Sequence, residues 1–323
     1  MIEPPYGQPP YGQPPYPGGG PDPYYASLAP KPGCVPLRPL GLGEILQGSL
    51  NVIRRNPRAT LGLSAIVAVL QSTVLVVVQI FAFAQIAKAV NNSNPGAPTI
   101  DVGRALPGEA TAIAGALIGS IFSAVLAGML TVVITEDVLG KRLSIDNVWT
   151  RTRPRLARLV VLSLVVGLLP FAGLIALVAP GVWLWGIWAV AVPSLMVEKV
   201  GLAGALGRSR ALVKGTFWRV WGIRAIGVGV ISLAGGLVSV PFALIAAAAA
   251  GIDPVSVANA SRFTLPTIYV IITAIGSVLT LTFTAPVRAG IDALLYVDLR
   301  MRKEGLDVVL QRIAARAERG AVG

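Results

Sequence analysis

The 323-residue chain is 54% hydrophobic and only 13% charged, with a net charge of +12; ordinary soluble domains are about 25% charged. With no histidine and one cysteine, Cys34, it cannot build a Ser-His-Asp or Cys-His catalytic site, a His-based or multi-Cys zinc site, or an internal disulfide. The expected class is an all-α polytopic membrane protein whose positive charge serves the membrane surface and not nucleic acid.

Residues 1–39 contain PPYGQPPYGQPPYPGGGPDPYY, from Pro4. Proline fixes φ and removes donors, glycine adds backbone freedom, and too few apolar residues remain to form a core. The expectation is a disordered Pro/Gly/Tyr-rich cytoplasmic tail, acting as a spacer or as a docking segment for a protein partner. It lacks the basic start and apolar centre of a signal peptide. No apolar signal segment precedes Cys34, so it reads as a linker thiol and not a lipid-attachment site.

Residues 40–299 form the expected membrane domain. It starts with an amphipathic stretch: Leu42, Ile45, Leu46, Leu50 and Ile53 share one helical face, and Glu44, Gln47, Asn51 and Arg54 lie elsewhere. Such a helix fits a membrane surface, and equally a neighbouring cytoplasmic helix. Six apolar runs follow, at about 61–87, 110–134, 159–179, 182–197, 225–250 and 267–287. Most reach the roughly 20 residues that a bilayer core requires. The third and fourth are joined only by Pro180-Gly181, a turn signal. Together they make about 60 Å of helix, too long for one crossing of about 30 Å. They form a tight hairpin that crosses twice or re-enters partway.

Charge alternates between the connections. Of the 27 Lys and Arg, only Lys88, Arg104 and Arg262 lie in the connections after the first and fifth runs, where Asp101, Glu109 and Asp253 balance them. The net charge of +12 therefore falls on the other side. Six crossings in three hairpins, with both termini cytoplasmic, follow from the positive-inside rule. Arg54, Arg55 and Arg58 stand at the entrance of the first span. Arg153, Arg155 and Arg158 stand at the third, and Arg219 at the fifth. Trp183 and Trp185 near one boundary, and Trp218 and Trp221 near the other, read as interfacial belts. Each odd span follows a basic, helix-compatible segment, and each even span exits with an acid followed by basic residues. Three pseudo-repeats, each an interfacial helix plus a hairpin, are the expected unit.

Polar residues within spans are the functional candidates. Gln71, Gln79 and Gln85 lie in the first; neighbouring helices or a substrate would engage them. Arg224 and Asp292 are expected to face each other and lock the fifth and sixth spans, with a local Arg288–Asp292 pair at i, i+4 as the alternative. Gly115, Gly119 and Ser123 repeat a small residue every four positions, which permits close helix packing. Pro170, Pro193, Pro241 and Pro286 lie in or near the ends of spans and either kink them or are tolerated. Residues 300–323 read as a cytoplasmic amphipathic segment, drawn by its basic residues to anionic inner-leaflet lipids.

LRPLGLGEILQGSLNVIRRNPRATLGL, RSRALVKGTFWRVWGI and APVRAGIDALLYVDLRMRKEGLDVVL together resemble the actinobacterial family of glycerophosphoryl diester phosphodiesterase membrane-domain-like proteins, over residues 36–312. The resemblance implies a multi-pass protein of a bacterial plasma membrane. Some relatives carry a fused soluble phosphodiesterase; no segment here is large enough for one, and without histidine its metal-dependent chemistry has no carrier. The enzyme name is therefore not expected to transfer, and no catalytic, cofactor or metal residues are assigned. The leading expectation is a non-enzymatic membrane scaffold, set against a small transporter or lipid flippase. A head-group enzyme with a metal on Glu136 and Asp137 is a third.

Overall fold

The structure, a computed structural model, describes residues 31–91, 102–176, 178–251 and 267–306. Every regular element among them is helical. In chain order these are α1 (Leu42–Arg55), α2 (Pro57–Asn91), α3 (Val102–Val138), α4 (Ile145–Thr152), a 3-10 turn (Arg153–Arg155), α5 (Leu156–Ala176), α6 (Val178–Ile187), α7 (Ala191–Glu198), α8 (Leu202–Val213), α9 (Phe217–Ala249) and α10 (Thr267–Glu304). A short helix thus precedes each of the three pairs of long apolar segments.

Local sequence explains the boundaries. The α1–α2 junction falls at Asn56-Pro57. Proline suits a first helical position, where its missing N–H is one of the unpaired ones anyway. The Asn56 Oδ1 accepts the Ala59 N–H at 3.4 Å, and its Nδ2 donates to the Leu143 carbonyl at 3.1 Å. Ser144 caps α4 by accepting the Asn147 N–H. α3 ends at Gly140, whose φ of +77° is the left-handed turn that closes many helices. Pro170, Pro241 and Pro286 all sit inside helices.

Among the described residues, five segments are long and apolar enough to cross a membrane: Pro57–Phe81, Ile113–Val138, Val178–Glu198, Phe217–Ala249 and Thr267–Glu304. The third of these is α6 and α7 together. α5 corresponds to the predicted run 159–179 and reverses into α6 as a tight hairpin. A Cβ built on Gly173 would lie 2.9 Å from the Gly181 backbone nitrogen, so only glycine permits this approach. Pro180-Gly181 is not itself the turn. It lies in the first turn of α6, where proline costs no hydrogen bond.

The predicted fourth run is likewise not one helix. It breaks over Trp188–Val190, and Ser209 of α8 holds the break. The Ser209 hydroxyl, fully buried, donates to the Ile187 carbonyl at 2.7 Å and accepts the Val190 N–H at 3.3 Å. Two backbone groups that the break would orphan are thereby satisfied. The boundary drawn at 299/300 also disappears, because α10 runs unbroken to Glu304.

The core is concentrated at one end. There α1, α4 and α8 wrap the ends of α3 and α10 around Leu40, Ile45, Leu130, Val148, Leu294 and Tyr296. Beyond this cap the helices touch along narrow seams of small residues and expose aliphatic flanks, including Val77 and Phe81 on α2, Leu233 and Leu237 on α9, and Ile271 on α10. Leucines exposed along long helices are the mark of a hydrocarbon surround.

The reading of residues 31–39 as tail is corrected. They form a strap packed into the cap, with Cys34, Val35 and Leu37 at 1% exposure. Cys34 is a core residue, not a linker thiol. The strap passes so close to the end of α3 that a Cβ on Gly33 would overlap the Asp137 carbonyl oxygen. Residues 1–30, and the C-terminal amphipathic segment beyond Leu306, lie outside the described residues.

Candidate functional site at the charged end of the bundle

Three acids near the C-terminal ends of helices organise the cap. A carboxylate there opposes the helix dipole, so each needs cations from elsewhere in the chain. Asp137, at the end of α3, is 1% exposed and accepts from Arg55 Nε at 3.2 Å; Arg55 also donates to the Pro32 carbonyl at 3.3 Å. Its neighbour Glu136 turns away to Arg151 of α4. The two carboxylates diverge, and among the described residues no three potential ligands converge on a metal.

Glu198, at the end of α7, receives Arg208 Nε through both oxygens at 2.9 and 2.7 Å and the Tyr296 hydroxyl at 2.8 Å. Arg208 also pairs with Glu304. Burial disfavours its charge, but the hydrogen bonds it donates to Glu198 and Glu304 outweigh this and raise its pKa. Arg155 reaches the Met196 carbonyl in the same helix end.

Asp298 of α10 is fully buried. Its Oδ2 accepts from Arg219 at 2.5 Å, and its Oδ1 accepts from Arg302 at 2.9 Å and from the Leu40 N–H at 2.7 Å. Arg219 and Arg302 also donate to the Leu40 carbonyl at 2.7 and 3.1 Å. The strap is thus fastened by both polar groups of one peptide residue. Cys34 lies against Asp137; burial, then the neighbouring carboxylate, pushes its thiol pKa well up.

The basic doorstep residues separate into two sets. Arg55, Arg155 and Arg219 turn inward to these clamps. Arg54, Arg58, Arg153 and Arg158 are exposed and have no ion pair among the described residues. α1 buries Ile45, Gly48, Ser49 and Val52, with Gly48 against Leu294 and Ser49 against Gly290 of α10, while Leu50 on another flank is 47% exposed. Its face against protein and its exposed apolar flank are therefore different stripes.

Arg224, 9% exposed, donates from Nε to Asp292 Oδ1 at 3.1 Å and from Nη1 to the Trp185 carbonyl at 2.8 Å. Its guanidinium carbon lies 4.6 Å from the Trp185 ring centroid, a cation–π contact. Trp221 meets Trp185 edge-on at 6.2 Å, so the reading of these two tryptophans as belts at opposite boundaries is corrected: they lie at one level. Arg288 is exposed and makes neither hydrogen bond nor ion pair among the described residues, so the local pair with Asp292 is not formed. Gln71 is buried against α3, with its Nε2 3.6 Å from a Cβ built on Gly119; Gln79 is exposed. Of Gln85 only the backbone is described. Gly115 and Gly119 admit α2 side chains, Val78 and Leu75 at the first and Gln71 and Leu75 at the second, whereas Ser123 is exposed.

Sequence reasoning missed the strap and Ser209. The apolar alternation in CVPLRPL was the available sign of the strap; a serine on a short basic helix gave no sign at all. No family model, curated protein or solved structure matches the chain.

Proposed function

We propose that the chain is a non-enzymatic scaffold of a bacterial plasma membrane, crossing it with α2, α3, α9 and α10 and keeping both termini on the cytoplasmic side. The clamped cap carries this reading. Asp137, Glu198 and Asp298 are consumed by structural ion pairs, while Arg54, Arg58, Arg153, Arg158 and Arg210 remain exposed. This gives a rigid basic surface suited to an anionic inner leaflet or an acidic protein partner. α6, the part of the second arm that leads away from the cap, is 10 residues, about 15 Å of helix, because the break at Trp188–Val190 is held in the cap by Ser209. That length supports a re-entrant hairpin for 159–197 in place of two full crossings. The bacterial setting comes from the family resemblance.

The scaffold reading is tested by capture in nanodiscs from native membranes, comparing the full chain with one lacking residues 1–30. The cut stops at 30 because the strap belongs to the fold. A defined protein partner, retained by either form, is the expected result. Solute or lipid flux across proteoliposomes with no protein partner would sink it and favour the second reading, a small transporter or flippase. One observation favours that alternative: the break in the fourth apolar run at Trp188–Val190, since discontinuous helices are common at transporter sites.

A further inference from the structure

Arg288 stands apart from the other charges of α10. Asp298 and Asp292 are both neutralised by arginines. Arg288 lies four residues, about 6 Å of helix, farther from the charged end than Asp292, and it has no partner among the described residues. A guanidinium there requires water or an anion.

It also continues a stripe. Thr273, Ser277, Thr280, Leu281, Thr284 and Arg288 recur at helical spacing on one face of α10. The first four of these, with Ser239, Val240 and Ala243 of α9, line a groove of about 430 Å³ that opens sideways from the bundle. It exists because α9 and α10 meet through small residues. A Cβ on Gly235 would lie 3.2 Å from Thr280 Cγ2, and one on Gly276 would lie 2.7 Å from Phe242 Cβ. The flank of this narrow contact stays unfilled. Thr273, Ser277 and Thr284 bond back to their own helix and Ser277 also meets Ser72 of α2; the groove is therefore largely apolar, with the Thr280 hydroxyl as its one buried polar atom without a partner among the described residues.

We propose that this stripe binds one anionic phospholipid, with its phosphate on Arg288 and an acyl chain along the α9–α10 groove. The spare charge selects the class. Arg224 and Asp292 neutralise each other, so Arg288 leaves a net positive site, which a zwitterionic head group would meet with its own cation. The inference rests on the reading of the chain as membrane-embedded with its charged end toward the inner leaflet.

The test uses the full chain in nanodiscs of phosphatidylcholine with a minority of phosphatidylglycerol, released into mild detergent and weighed by native mass spectrometry. One retained phosphatidylglycerol is expected. Arg288→Gln should reduce its retention about fivefold, the weight of one basic residue at a membrane surface. Ala243→Trp, which fills the groove but keeps the charge, should also displace it. Arg142→Gln, an exposed arginine of the chain between α3 and α4, should leave it in place. Equal retention of both lipids, equal loss with Arg142→Gln, displacement by inorganic phosphate, or a dimer mass without lipid would each overturn the site. Failure to enter nanodiscs would overturn the membrane reading as well, and so separates the two.

Discussion

Replacing Asp298 by asparagine should release the strap without unfolding the bundle. The carboxylate is fully buried and gathers Arg219, Arg302 and the Leu40 N–H. Asparagine keeps one acceptor oxygen for Leu40 but turns an amide toward a guanidinium. Breaking a buried pair by removing one partner costs about 3–5 kcal/mol. Here the arginine side chains are 30% and 37% exposed, so water covers part of the uncompensated charge, and about 2 kcal/mol is the expected loss. Cys34 is the only cysteine and is buried within the strap, so its labelling by a thiol reagent reports strap opening. A loss of that size raises the labelling rate about 30-fold. Helix content by circular dichroism should not change. Arg54→Gln, an exposed arginine without an ion pair, is the control. Labelling within about twofold of the unmodified chain, at unchanged helix content, would refute the fastening role assigned to Asp298.

Gly33→Ala should have a similar effect by steric means, because no Cβ fits against the Asp137 carbonyl; rapid Cys34 labelling is expected, and slow labelling would show that the strap can shift. Strap docking should also weaken at alkaline pH. The docked thiol has a raised pKa, so its contribution is full below the ordinary value of 9.0 and falls as the pH climbs past it, when only the released strap gains by ionising. The labelling rate should then rise more steeply than the thiolate fraction of a free cysteine. Ser209→Ala should orphan the Val190 N–H and the Ile187 carbonyl, costing about 1–3 kcal/mol, and hydrogen exchange at Val190 should accelerate while α9 is unaffected. In a double-mutant cycle, Arg224→Gln and Asp292→Asn should couple by about 1–3 kcal/mol in thermal unfolding; additivity would show that the contact is not energetically shared.

The helices could be read from the sequence because length and composition alone nearly determine a long apolar helix. Their breaks were less visible. Pro180-Gly181 carries the same signal whether it makes a turn or begins a helix, and only the Gly173 backbone contact decides. The strap was hidden because its four apolar residues follow a Pro- and Gly-rich segment whose composition dominates any window containing both. Charge pairing was legible as a class but not as partners. Arg55 and Asp137 are 82 residues apart, and Arg219 and Asp298 are 79 apart, beyond any local spacing. At Asp292 the sequence offered two arginines. The partner across the helix interface, Arg224, is the one within bonding distance, because α9 meets α10 there.

The clamps share a logic that sequence similarity among the three units does not require. In each, an arginine just before or at the start of the first helix of a hairpin reaches the end of the chain that returns from it: Arg55 to Asp137, Arg155 to the Met196 carbonyl, Arg219 to Asp298. Each hairpin is thereby closed at its open end, where chain connectivity does not hold it. Helix ends are also where the dipole makes a buried acid least stable alone, so acid and arginine depend on each other. Farther from the cap, the described residues include close approaches at glycines, as at Gly173, Gly235 and Gly276. Rigidity should therefore decline from the charged cap toward the far side. A groove that admits a lipid chain would lie beyond the clamps, where the α9–α10 groove is found.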